Sequence, residues 1–228
     1  MKAVIFDMDG VVIDTEPIID KITKEFLEEQ GFILSDQLID KYRGTKSEYF
    51  WTRYKIQLGL PENIDFYIRE VRNRYLLWFR NTSTLPIVSG VIELLRDLVK
   101  HGIKTALATS GSQIRMNLII DKLALNNLFH VKISSADVKN AKPNPEIFLK
   151  AARRLQIPCE SCVVIEDSEN GVNAAKEANM VVIGFKGLQH NNQDLSHADA
   201  IIDDLKKLNT KNLFKLWKKN KSATNPKN

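Results

Sequence analysis

Asp7 and Asp9 are the first residues in the chain whose type and spacing suggest chemistry. They follow the apolar run Ala3-Val4-Ile5-Phe6 and precede Gly10. Four apolar residues ending in two acids read as a buried strand with a charged tip. Side chains alternate along a strand, so Asp7 and Asp9 project to the same side, roughly 6–7 Å apart. Carboxylates that close repel unless a cation stands between them. A hard divalent ion, magnesium above all, suits oxygen donors of this kind. The plain alternative is a strand followed by an acidic turn.

Later segments repeat the pattern. Cys162-Val163-Val164-Ile165 runs into Glu166-Asp167, and Lys104-Thr105-Ala106-Leu107-Ala108 runs into Thr109-Ser110. Lys142-Pro143 lies in the loop Asn140-Ala141-Lys142-Pro143-Asn144-Pro145, ahead of a helix. Taken singly, Thr109 could simply end a strand and Lys142 could be a surface lysine. Asp7/Asp9, Thr109/Ser110 and Glu166/Asp167 share one position, the carboxyl ends of strands, where parallel α/β sheets gather their functional groups, and in that company Lys142 reads as a functional residue.

The elements that must position them can be read in order. Thr15 is a candidate cap and Pro17 a first-turn residue of a helix carrying Ile18, Ile19, Ile22, Phe26 and Leu27 and ending at Gly31. Helical spacing continues to about Arg80, rich in aromatics that would form its core. Residues 16–81 are therefore expected as an all-helical insert. Asn81 to Pro86 is polar with a proline, a linker. Two crossings, here and at Asp14-Thr15, are what a hinged lid requires. Next come a helix capped by Ser89 with apolar face Val91, Leu94, Leu95 and Leu98, helices at 113–123, 146–155 and 170–178, and strands at 131–134 and 180–184. An edge strand at 200–202 and a final helix at 205–217 complete the pattern. Strands separated by helices imply right-handed crossovers: an α/β fold with a parallel, Rossmann-like sheet and helices on both faces.

The 228 residues suffice for such a core plus a smaller unit. Eight lysines and no acid fall between Lys206 and Asn228, and subtracting eight from the formal net charge of +5 leaves −3. The basicity belongs to the end of the chain, and a solvated tail is expected rather than a nucleic-acid surface. No apolar run reaches the length of a membrane span and no secretory signal is evident, so a cytoplasmic monomer without a membrane partner is expected. Cys159 and Cys162 form a single Cys-x-x-Cys, too little for a zinc site, and both are read as reduced thiols. His101, His130, His190 and His197 show no mutual pattern, and Trp51, Trp78 and Trp217 read as packing residues.

Asp7-x-Asp9-Gly10, Thr109, Lys142-Pro143 and Glu166-Asp167, in that order, resemble the four motifs of the haloacid dehalogenase superfamily. The runs Phe6 to Val11, Lys142 to Phe148 and Val164 to Ser168 are similar to its β-phosphoglucomutase-like branch, and the insert resembles that family's helical cap. The resemblance reaches to about residue 208. It implies a core of residues 1–15 and 82–208, a cap of 16–81, and a basic helix end and tail of 209–228. It also implies roles. Asp7 would be the nucleophile and Asp9 the general acid and base. Asp7, Asp9 through its carbonyl, Glu166 and Asp167 would hold Mg2+. Thr109, the Ser110 N–H and Lys142 would bind the phosphoryl group.

Within the superfamily the second aspartate argues for phosphoryl transfer over carbon–halogen cleavage. The related mutases carry a cap histidine near position 19 and an arginine shortly after a cap glycine; here stand Ile19 and Gly44-Thr45-Lys46-Ser47. The implied activity is a Mg2+-dependent phosphatase acting on a small phosphorylated metabolite, a sugar phosphate in class, with Glu16 and Lys46 as cap contacts to substrate. A phosphosugar mutase is the alternative in the same family. A non-catalytic binding protein using the basic tail is the alternative of another class.

Overall fold

The computed structural model describes residues 1–43, 47–188 and 192–224, with side chains described to residue 222. Strand β1 (Ala3–Phe6) is followed by four helices, α1 (Glu16–Glu29), α2 (Asp36–Tyr42), α3 (Ser47–Leu58) and α4 (Ile64–Asn81). Helix α5 (Val91–Lys100) leads to β2 (Lys104–Ala108), α6 (Gln113–Lys122) and β3 (Val131–Ile133). Then come α7 (Glu146–Leu155), β4 (Cys162–Glu166), α8 (Glu169–Glu177), β5 (Val181–Phe185), β6 (Ala200–Ile202) and α9 (Thr210–Thr224). The chain divides into two compact units, residues 1–14 with 86–228 and residues 15–85.

The first unit is built on one six-stranded parallel sheet in the order β3-β2-β1-β4-β5-β6. Strand β1 is central and wholly buried, which explains why it reads as an unbroken apolar run. Alternation sends Ala3, Ile5, Ala106, Ala108, Cys162 and Val164 to one face, where Phe148 of α7 and Val172 of α8 pack on them. Burial pushes the Cys162 thiol up to about 12, so it stays protonated and behaves as a small apolar side chain. The register pairs Phe6 with Leu107 on one side and with Ile165 on the other. The ends of β1, β2 and β4 are thereby held level, and Asp7, Thr109 and Glu166 emerge at the same rim.

The second unit is the helical insert, and aromatics form its interior. Trp51 stacks on Tyr67 with ring centroids 5.2 Å apart, and Phe26, Tyr54 and Phe79 are buried.

Local details differ from the sequence reading. Thr15 occupies the N-cap of α1 but its side chain makes no capping bond. The N-cap of α5 is Gly90, not Ser89. At position 90 φ is +88° and a Cβ would come within 2.7 Å of the Lys206 nitrogen, so a remote segment dictates glycine there. The last described segment packs on the core unit. Residues 205–207 form a 3-10 turn, and α9 begins at Thr210, whose N–H and hydroxyl donate to Asp97 of α5 at 2.7 and 2.8 Å. Leu213 is fully buried and the Trp217 indole N–H donates to the Glu160 carbonyl at 2.9 Å. Lys211, Lys215, Lys218 and Lys219 lie exposed on this docked helix.

Candidate active site

The three strand ends supply two carboxylates and a hydroxyl; a loop supplies the cation between the carboxylates. The Asp7 N–H donates to the Ile165 carbonyl at 3.0 Å, so Asp7 still belongs to the ladder. Its side chain is nearly buried and accepts from Lys142 Nζ at 2.5 Å. Lys142 also donates to Glu166 Oε1 at 2.7 Å and to the Ala108 carbonyl at 3.2 Å. An ammonium has three donors, and here each has an acceptor. Nζ further lies 4.9 Å from the centre of the Phe148 ring.

The loop that carries Lys142 is fixed by its own polar groups. Glu146, in the first turn of α7, accepts from the Lys139 and Asn140 N–H groups at 3.0 and 2.9 Å. Asn144 Oδ1 accepts from the Glu146 N–H at 3.0 Å, and Ser134 and Asp137 close a capping box at the loop's start. The Lys142-Pro143 peptide is cis.

Glu166 is 1% exposed, and both its oxygens have protein donors. Oε1 takes Lys142, and Oε2 takes the Ser168 N–H and hydroxyl at 2.8 and 2.9 Å. The structure thus gives Glu166 a positioning task, holding Lys142 and the N-terminus of α8, where the sequence suggested a metal ligand. Gly171, which the sequence reading passed over, makes room for it. A Cβ there would lie 1.8 Å from Glu166 Oε1. A glycine in the first turn of an amphipathic helix was the available signal, since it costs helix stability and so implies close packing. Gly171→Ala is expected to destabilise the chain by about 1–3 kcal/mol, although helix propensity alone would favour alanine. By dislodging Glu166 it should also lower kcat; calorimetry and steady-state kinetics on the one variant check both.

Asp167 sits against Gly10, where φ is +78° and a Cβ would fall 1.9 Å from Asp167 Oδ2. Only glycine fits both the backbone and the space. The electrostatics of this rim are unbalanced. Burial pushes the Asp7 carboxyl up to about 7; Lys142 pulls it down, but Glu166 and Asp9 push it up again. Burial, then Glu166 and Asp7, hold Asp167 well above the usual carboxylate range. Burial pulls Lys142 down, but Asp7 and Glu166 outweigh it and hold the ammonium above its ordinary value. Negative charge is in excess, and the donors are hard oxygens, the condition a divalent cation relieves.

Thr109 is fully buried, and its hydroxyl accepts from the Gly111 N–H at 2.9 Å, which shapes the turn after β2. Ser110 beside it is exposed. Asp9 is ion-paired with Arg115 of α6, a partner the sequence reading did not foresee. In the insert, Glu16 lines a cavity of about 150 Å³ together with Asp20, Thr23, Arg43 and Tyr54. Arg43 bridges Asp20 and Asp40 at 2.8 and 2.9 Å. Lys46 lies outside the described residues.

Residues 4–185 match the model of the haloacid dehalogenase-like hydrolase family. The "Phosphorylated carbohydrates phosphatase" of Thermotoga maritima is 34% identical over 178 residues, 78% of this chain and 82% of that protein. The "Probable pseudouridine-5'-phosphatase" of Drosophila melanogaster is 32% identical over 208 residues, 88% of each. The crystal structure of the β-phosphoglucomutase of Clostridium difficile superposes with a TM-score of 0.75 at 25% identity, covering 96% of this chain and 98% of that one. The chain belongs to the haloacid dehalogenase-like hydrolases, in the β-phosphoglucomutase-like branch, with that branch's α/β core and helical cap. The family generally uses Mg2+. No described helix is long and apolar enough to cross a membrane.

Proposed function

We propose that the chain is a Mg2+-dependent phosphatase that hydrolyses a small phosphorylated metabolite, a sugar phosphate by class, by way of an aspartyl phosphate on Asp7. The observation that carries this reading is the buried Asp7–Lys142–Glu166 contact, drawn from three distant segments at one sheet rim. In the reaction a carboxylate oxygen of Asp7 attacks phosphorus as the ester P–O bond breaks. Asp9 gives its proton to the departing oxygen, then takes one from the water that cleaves the aspartyl phosphate. Lys142 holds positive charge beside Asp7, where it offsets the negative charge of the transferring phosphoryl oxygens. Thr109 and the Ser110 N–H orient that group.

The Asp7 and Asp167 carboxylates, with the Asp9 main-chain carbonyl, would hold the metal. Such a set of hard oxygens suits Mg2+, which keeps several waters and takes one or two carboxylates. Mg2+ when bound supplies further positive charge to the transferring phosphoryl group. At about 100 times its Kd, Mg2+ should add ~2.7 kcal/mol of stability. Thermal unfolding with and without Mg2+ should show that gain in the wild type and lose it in Asp167→Asn.

Two relatives are named for phosphatase activity on a phosphorylated carbohydrate and on pseudouridine 5'-phosphate, and both names support the substrate class. Glu16 and Lys46 are proposed contacts to the organic part of the substrate, and a cytoplasmic location belongs to the same reading. A phosphosugar mutase is the second reading, favoured by the likeness to β-phosphoglucomutase. Ile19, in place of the mutases' histidine, stands against it. A panel of phosphorylated metabolites with Mg2+ decides. Phosphate release from at least one is expected. Release from none overturns the phosphatase, and bisphosphate-dependent interconversion of hexose 1- and 6-phosphates without release establishes the mutase.

A further inference from the structure

The rim holds two cations, and they serve different acids. Lys142 faces Asp7 and Glu166, whereas Arg115 faces Asp9. Arg115 is the third residue of α6. Its N–H donates to the Ser112 hydroxyl at 3.4 Å, so its origin is fixed by a capped helix start. From there the side chain crosses the turn after β2: its Nη1 lies 3.4 Å from where a Cβ on Gly111 would stand. Nη2 donates to Asp9 Oδ1, and both side chains are largely shielded from solvent. A planar guanidinium on a rigid base holds a carboxylate in one orientation, as a flexible ammonium would not.

We propose that Arg115 is a positioning residue for Asp9, aiming its carboxyl group at the oxygen that leaves and then at the attacking water. The inference rests on the phosphatase reading above. In the first step the Asp9 proton passes to the ester oxygen as the P–O bond breaks and the Asp7–phosphorus bond forms; Arg115 transfers nothing. A well-placed general acid or base contributes ~10²–10⁴-fold. Losing its aim while keeping the group should therefore cost on the order of 10- to 100-fold, as misorientation of a reacting group does.

The test separates aim from phosphate binding. Glycerol 2-phosphate must expel a poor alkoxide and needs the acid; p-nitrophenyl phosphate expels a stable phenolate and hardly does. kcat/KM reports the steps through departure of that group. Arg115→Gln is expected to lose 10- to 100-fold in kcat/KM on the alkyl ester. It should keep kcat/KM on p-nitrophenyl phosphate, which also shows the variant is folded, and keep its inhibition by inorganic phosphate. Arg115→Lys should restore part of the loss. Asp9→Asn should lose at least as much as Arg115→Gln on the alkyl ester, and the double variant should be no worse than Asp9→Asn. Equal losses on both esters, or weakened inhibition by phosphate, would make Arg115 a phosphate ligand and overturn the inference. So would an Arg115→Gln enzyme matching wild type. If Asp7→Asn is dead and wild type active, the phosphatase reading survives that failure; a wild type that cleaves neither ester overturns both.

Discussion

Asp7→Asn should reduce phosphate release by a factor on the order of 10⁴–10⁶, the scale seen when a covalent nucleophile is removed. The amide keeps the shape and can still accept from Lys142, so any loss reports the missing nucleophile and not a collapsed rim. Stability should move the other way. In the metal-free chain the Asp7 charge is opposed by burial and by Glu166 and Asp9, and only Lys142 favours it. Neutralising it leaves Lys142 still paired with Glu166 at 2.7 Å. The variant should therefore unfold at the same or a higher temperature than wild type without Mg2+, the pattern of a site whose function strains the fold. A dead but destabilised Asp7→Asn would mean that the rim needs the negative charge for folding. An active one would remove Asp7 from the chemistry.

How much of this was legible in the sequence depends on how locally each feature is determined. The central strands were legible because a parallel strand buried on both faces must be apolar along its length, and Ala3–Phe6 and Cys162–Ile165 are. Residues just past such strands fall at one rim by topology alone, so Asp7, Thr109 and Glu166 could be grouped without knowing any contact. Side-chain partners are another matter. Glu166 and Asp167 look alike as neighbours in sequence, yet one turns inward to Lys142 and Ser168 while the other lies against Gly10. Arg115 is a single arginine on a helix of mixed polarity, and only the packed turn shows that it meets Asp9. The Ser89 cap failed for the same reason: Lys206, distant in sequence, imposes Gly90 at the N-cap. The last helix was legible in outline at 205–217, but its docking was not, because the Trp217 indole meets the Glu160 carbonyl and Thr210 meets Asp97, both distant in sequence.

Lys142→Met should fail twice, and the two failures should separate. The ammonium is the only cation that bridges Asp7 and Glu166 among the described residues, at 2.5 and 2.7 Å, in a slot where its side chain is 6% exposed. Removing one member of a buried ion pair leaves the others uncompensated and costs about 3–5 kcal/mol. Activity should fall further, by a factor on the order of 10³ or more, because the charge beside the phosphoryl group goes as well. Adding Glu166→Gln removes one stranded charge and should return much of the lost stability, since an amide can still accept from Ser168. It cannot return activity, because no cation is restored. Lys142→Arg tests the shape of the slot: a planar fork cannot meet three convergent acceptors over the Phe148 ring as a compact ammonium does. It should stay charged and yet be slow. If Lys142→Met/Glu166→Gln recovers stability and turnover together, Lys142 is a structural counter-ion, and the phosphoryl group must find its positive charge elsewhere.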